Sequence, residues 1–83
     1  MKFWKRELER LSIPFWPSQG NFLLVNARKG LGRSGVDVFQ ECLKLGVIFR
    51  PVANYGLHDA LRISIGTMAE NQFAVRALEK VKG

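Results

Sequence analysis

The hydrophobic pattern of the first third of the chain predicts a helix followed by a strand. Within residues 2–11, Trp4, Leu8 and Leu11 recur at helical spacing and would form one apolar stripe. A continuous run follows at residues 21–27, and residues 22–25 within it show no polar alternation, which is typical of a strand covered on both faces. Two prolines make the segment between them an extended connection.

The middle of the chain predicts a loop and a second helix. Basic residues and glycines interrupt the apolar pattern at residues 28–33, where we expect a loop. Ser34 is a typical helix N-cap, Asp37 would complete a capping box, and Gly46 would end the helix. The spacing places four residues on its buried face: Val36, Phe39, Cys42 and Leu43.

Two further strands are predicted at residues 47–52 and 61–65, joined by a polar loop at residues 53–60. In the second of these strands apolar residues alternate with polar ones, so Arg62 and Ser64 share one face. A guanidinium within a strand needs an anion or water, and this requirement makes Arg62 the main candidate for a functional residue.

A last helix should begin after Thr67, with Glu70 completing a capping box, and run to about Lys82. Its buried face should consist of Ala74, Ala77, Leu78 and Val81. The predicted order is therefore α-β-α-β-β-α, an α+β fold in which helices cover one face of a small mixed or antiparallel sheet of about three strands. We expect a right-handed crossover in the β-α-β part, antiparallel pairing of the two later strands, and an open face around Arg62.

Length and charge limit what such a chain can be. Its 83 residues form a single domain, residues 1–83, whose core would be marginal on its own. The net charge of +6 is spread along the sequence and fits nucleic acid, an anionic substrate or a part of a larger protein. No apolar run is long enough to span a membrane, and the lone Cys42 fits a reducing cytoplasm.

The sequence gives only weak support for three other kinds of site. Gly30, Gly32 and Gly35 spell a GxGxxG motif, but charged residues separate them from the strand and no second βαβ unit follows, so we prefer a flexible basic turn to a dinucleotide site. His58 belongs to a surface loop, and one histidine with one cysteine does not make a zinc site. Packing explains the aromatic residues near basic ones as well as nucleic-acid binding does; these residues are Phe3, Trp4, Phe15 and Trp16. We expect no nucleic-acid partner.

The pair of arginines is the remaining candidate for a functional site. If the two later strands pair, Arg50 and Arg62 could converge on one anion, because guanidinium groups match carboxylate and phosphate with two parallel N–H bonds. A surface arginine or a salt bridge to Asp59 accounts for the pair equally well.

Four segments resemble the C-terminal small domain of histidinol-phosphate aminotransferases. They are PSQGNFLLV (17–25), GVIFRPV (46–52), YGL (55–57) and LRISIGT (61–67). The resemblance implies a fold similar to that of aspartate aminotransferase, pyridoxal phosphate as the cofactor of the full-length enzyme, and amino transfer between glutamate and imidazole-acetol phosphate in histidine biosynthesis. It also implies that Arg62 binds the anionic group of the substrate, glutamate or histidinol phosphate, and that Arg50 assists.

In that family the Schiff-base lysine and the cofactor site lie in a preceding large domain that this chain lacks. We therefore expect the isolated chain to bind no cofactor and to be inactive, although the family is an enzyme. Its open face would meet the missing large domain, and self-association would also cover that face. The alternative function is a free-standing basic α+β module for a phosphate-bearing ligand or nucleic acid, which salt-dependent binding would reveal.

Overall fold

A computed structural model describes residues 2–16, 20–52 and 56–82, with four helices and four strands among them. The helices are α1 (Lys2–Arg10), α2 (Ala27–Leu31), α3 (Gly35–Lys44) and α4 (Met68–Lys82). The strands are β1 (Phe15–Trp16), β2 (Phe22–Asn26), β3 (Arg50–Val52) and β4 (Leu57–Ser64). The predicted α+β class is confirmed, and β1 and α2 are additions to the predicted order. None of the helices in the described ranges is long and apolar enough to cross a bilayer.

The strands form one antiparallel sheet in the order β1-β2-β4-β3. The central strand β4 pairs with all of β2 on one side and with β3 on the other, so the predicted antiparallel pairing of the two later strands is confirmed. Because β4 is antiparallel to both, β2 and β3 run in the same direction without being neighbours. The connection through α3 therefore spans the width of β4.

Helices cover one face of this sheet and leave the other open. The strand residues that point into the core are Leu23, Val25, Leu61 and Ile63, and at most 1% of the surface of each is exposed. In β2 the alternate residues Phe22 and Leu24 are half-buried on the opposite face. The prediction that this strand is covered on both faces is therefore wrong, since its apolar run mixes core residues with residues of the open face.

The N-terminal helix packs as its spacing predicts. Trp4 and Leu8 are fully buried, and Leu11 is nearly so. The helix ends where Ser12 adopts a positive φ of 59°, and the Ile13 N–H then donates to the Leu8 carbonyl at 2.9 Å. This is the hydrogen bond of a Schellman motif, and it brings the buried Ile13 into the core beside the helix.

The third helix begins as predicted but turns a different face inward. The Ser34 hydroxyl accepts from the Asp37 N–H at 3.2 Å, which confirms the N-cap. The buried residues, however, are Gly35, Val38 and Cys42. The predictions for Val36 and Leu43 are wrong, because their side chains are 37% and 47% exposed.

A close contact explains this rotation of α3. A Cβ atom on Gly35 would collide with the carbonyl oxygen of Ala60 in β4, so the backbones of helix and strand touch at this point. The stripe that continues from Gly35 must then face the sheet. Cys42 lies on that stripe, and burial raises the pKa of its thiol to about 11, so Cys42 behaves as a small apolar residue, as predicted.

The last helix is anchored at its start by a reciprocal capping box. The Thr67 N–H donates to Glu70 Oε1 at 2.8 Å, and the Glu70 N–H donates to Thr67 Oγ1 at 3.2 Å. The bond from the Thr67 backbone lowers the pKa of Glu70. Asn71, buried below the cap, bonds both the N–H and the carbonyl of Gly66 and so fixes the exit of β4. The predicted buried residues Ala74, Ala77 and Leu78 are confirmed, and Val81 packs partly against them.

Candidate functional site

The two candidate arginines lie directly opposite each other on neighbouring strands. Arg62 is in the interior of β4, Arg50 is the first residue of β3, and the two form a cross-strand pair. Both belong to the open face, since Leu61 and Ile63 on either side of Arg62 point into the core. Opposed residues of this kind have Cβ atoms about 5 Å apart, so the two arginine side chains start from neighbouring positions on that face.

The salt-bridge interpretation of this pair is not supported. Asp59, the carboxylate considered as a partner, instead forms an ion pair with Arg28, with 3.3 Å between Oδ1 and Nε. Within residues 2–16, 20–52 and 56–82, neither Arg50 nor Arg62 forms an ion pair with a carboxylate. Like charges directly opposite each other repel, and an anion bound between them would replace this repulsion with attraction to both.

Phe22 is a further member of this site that the sequence pattern did not single out. Its partner across the strands is Ser64, so it is a diagonal neighbour of Arg62 on the same face. The guanidinium carbon of Arg62 lies 4.2 Å from the centroid of the Phe22 ring. The register of β2 against β4 would have revealed this neighbour, but an apolar run without alternation does not fix the register.

One transverse row of side chains crosses the open face at the level of Arg62. The cross-strand pairs place Trp16 beside Leu24, Leu24 beside Arg62 and Arg62 beside Arg50. Trp16 is 51% exposed and Leu24 is half-buried. The open face is therefore apolar towards β1 and cationic towards β3, an arrangement suited to a ligand with one anionic end.

The GxGxxG motif is explained by packing. A Cβ on Gly30 would lie 2.8 Å from Ile13 Cγ2, and Gly32, with a φ of 71°, ends α2 in the left-handed region. Gly35 touches β4, as described above. The expected loop at residues 28–33 is also wrong, because Asn26 Oδ1 accepts from the Lys29 N–H at 3.0 Å and caps a short helix there.

The remaining candidates do not assemble into a catalytic site among the described residues. His58 is exposed on β4, outside the loop in which we expected it, and residues 53–55 of that loop lie outside the described ranges. Trp4 is fully buried and so is not available to a nucleic-acid base. No group of histidine, cysteine and carboxylate side chains that could hold a metal occurs in the described part of the chain.

The lysines lie away from the arginine pair. All of them are exposed, and each lies on a helix: Lys2, Lys5, Lys29, Lys44, Lys80 and Lys82. The helices pack on the face of the sheet opposite to Arg62, so the described residues place no lysine beside the arginine pair.

Comparisons with known proteins agree on one family. No protein-family model matches the chain. Histidinol-phosphate aminotransferase 2 of Pseudomonas fluorescens is 51% identical over 71 residues, which are 86% of this chain and 18% of that protein. The histidinol-phosphate aminotransferase of an Anaeromyxobacter species is 43% identical over 81 residues, which are 98% of this chain and 21% of that protein.

A solved structure shows the same likeness. The crystal structure of the histidinol-phosphate aminotransferase from Clostridium acetobutylicum matches 98% of this chain with a TM-score of 0.84 and 25% identity, over 25% of its own length. The chain thus spans about a fifth of the length of the curated relatives it matches. In sequence and in fold, this chain corresponds to a segment of histidinol-phosphate aminotransferases, and the resemblance seen in its four motifs is confirmed.

Proposed function

We propose that this chain is the substrate-binding small domain of a histidinol-phosphate aminotransferase, in which Arg62 and Arg50 bind the anionic group of the substrate. The observation that carries the proposal is the direct opposition of the two arginines on the open sheet face without a carboxylate partner among the described residues. The similarity to those enzymes supports the proposal, because it extends over 86–98% of the chain. The activity of the whole enzyme would be amino transfer between glutamate and imidazole-acetol phosphate.

In that reaction, this chain would bind the substrate and orient it. A guanidinium donates two parallel N–H bonds, and these match two oxygens of the glutamate α-carboxylate or of a substrate phosphate. The second arginine adds charge at the same anion, so one site accepts both substrates in turn. Pyridoxal phosphate supplies the electron sink in such enzymes, and the lysine that would hold it is expected in a large domain outside this chain.

Replacing Arg62 with alanine should weaken the binding of inorganic phosphate to the isolated chain by at least tenfold. A charge-assisted hydrogen-bond pair contributes about 1.5–3 kcal/mol, and tenfold in affinity corresponds to about 1.4 kcal/mol. Titration followed by NMR at constant ionic strength measures this effect, with glutamate as a second ligand. Arg62→Lys should recover only part of the affinity, since an ammonium keeps the charge but not the planar fork.

A matched control separates a specific contact from net charge. Arg76→Ala removes one exposed arginine from α4, on the helical side of the sheet, and should leave phosphate binding unchanged. Equal losses in the Arg62 and Arg76 variants would contradict the proposed site and indicate nonspecific attraction. Tight, steeply salt-dependent binding of single-stranded RNA would instead favour the alternative of a nucleic-acid module.

Pyridoxal phosphate mixed with the isolated chain should give no stoichiometric Schiff-base absorbance band. The lysines are exposed on helix surfaces and should react with an aldehyde only slowly and reversibly. Absorbance spectra recorded during titration, followed by borohydride reduction and mass spectrometry, check this expectation. One lysine modified at one equivalent would show that the chain has a cofactor site of its own.

A further inference from the structure

The Arg62 side chain is held in an unusual way. Its guanidinium carbon lies 4.2 Å from the centroid of the Phe22 ring, which is close for a cation over an aromatic face. Its Nε atom is buried and has no hydrogen-bond partner within the described ranges. The residue as a whole is half-buried. A buried, unpartnered N–H is unfavourable, so some other contact must stabilise this position of the side chain.

The Phe22 ring supplies that contact. A guanidinium is planar and weakly hydrated, and it stacks well on an aromatic face. Phe22 is the first residue of β2, and its backbone is held by pairing with Ser64, the last residue of β4. The ring therefore provides a rigid platform under a side chain that would otherwise sample several rotamers.

The covered Nε determines how a ligand can approach. Arginine binds carboxylate and phosphate either side-on, through Nε and one terminal nitrogen, or end-on, through Nη1 and Nη2. With Nε buried, a ligand meets the guanidinium of Arg62 only at the two terminal nitrogens unless the side chain moves. Arg50, opposite on β3, is exposed and flanks that approach.

We infer that Phe22 is a positioning residue for the anion site: its ring orients the Arg62 guanidinium so that Nη1 and Nη2 form an end-on fork for two oxygens of a carboxylate or phosphate. The inference rests on the proposed function of Arg62 and adds a residue and a binding geometry to it. Phe22 does not touch the anion. It acts by restricting Arg62, and its loss should weaken the site without changing any charge.

NMR of the arginine side chains in the full 83-residue chain tests this role directly. In the unliganded protein the Nε–H and δ-CH₂ protons of Arg62 should be shifted upfield by the ring current of Phe22. Phe22→Leu should abolish that shift and raise the phosphate Kd about threefold to tenfold. Phe22→Tyr, which keeps the ring, should restore both. Phe73→Leu, which removes an exposed phenyl ring from α4, should alter neither.

The ligand-free spectra keep the two hypotheses apart. An Arg62 shift that survives Phe22→Leu, or a Phe22→Leu variant that is folded and binds phosphate as tightly as the original chain, would overturn the positioning role. Absence of phosphate binding by the original chain, with the ring-current shift present, would overturn the proposed anion site and reduce the stacking to a structural contact. Urea denaturation of each variant shows whether it remains folded.

Discussion

Replacing Gly35 with alanine is expected to lower the free energy of unfolding by about 3 kcal/mol. The added Cβ would meet the carbonyl oxygen of Ala60, a backbone atom that cannot turn aside as a side chain can. The helix would have to move away from β4 and would open the packing of Val38 and Cys42 against the sheet. Urea denaturation followed by far-UV circular dichroism measures the change.

Gln40→Ala is the matched control for this substitution. Gln40 is exposed on the same helix, so alanine there should be neutral or slightly stabilising through its helix propensity. A Gly35→Ala variant as stable as the Gln40→Ala variant would show that α3 is not held against β4 by this contact. It would also contradict the explanation given above for which face of α3 is buried.

Trp4→Ala should remove about 4 kcal/mol of stability, a large share of the roughly 5 to 10 kcal/mol expected for a domain of this size. Trp4 is fully buried, and its loss would leave a large cavity between α1 and the rest of the core. Urea denaturation followed by circular dichroism should then show unfolding at a much lower urea concentration than for the original chain.

Trp4→Phe should be far milder, within about 1 kcal/mol of the original chain. The Trp4 Nε1 atom is buried and has no hydrogen-bond partner within the described ranges, so phenylalanine removes an unsatisfied donor together with some apolar area. Loss of the unsatisfied donor raises the stability, whereas loss of apolar area lowers it, so the two effects partly cancel. A Phe variant as unstable as the Ala variant would mean that the indole N–H makes an essential bond.

Local signals in the sequence predicted the parts of the fold that depend on local interactions. The caps at Ser34 and Thr67 and the stripe of α1 require only neighbours within one turn, and all three are confirmed. The buried face of α3 was predicted wrongly because a contact between Gly35 and Ala60, distant along the chain, decides it. Likewise, α2 and the two-residue β1 are shorter than the windows in which periodicity can be read.

The residues of the candidate site also differ in whether the sequence alone could reveal them. Arg62 could be selected from the sequence because a charge interrupts an alternating strand, and its pairing with Arg50 followed from the hairpin-like order of the two strands. Phe22 could not be assigned to the same face without the register of β2. The pairing of Asp59 with Arg28, 31 residues away, was equally hidden, yet it is the contact that leaves the two site arginines without that carboxylate.

The two outer strands bear on how this molecule can meet other chains. The edge strands β1 and β3 contain only two and three residues, and β3 begins with Arg50 and Pro51. A charge and a proline without an N–H interrupt the row of backbone groups to which an incoming strand would bond, so the sheet is protected against growth from chain to chain. The chain can therefore display an apolar and cationic sheet face without offering a template for fibrils, and a second molecule would have to dock on that face through side chains.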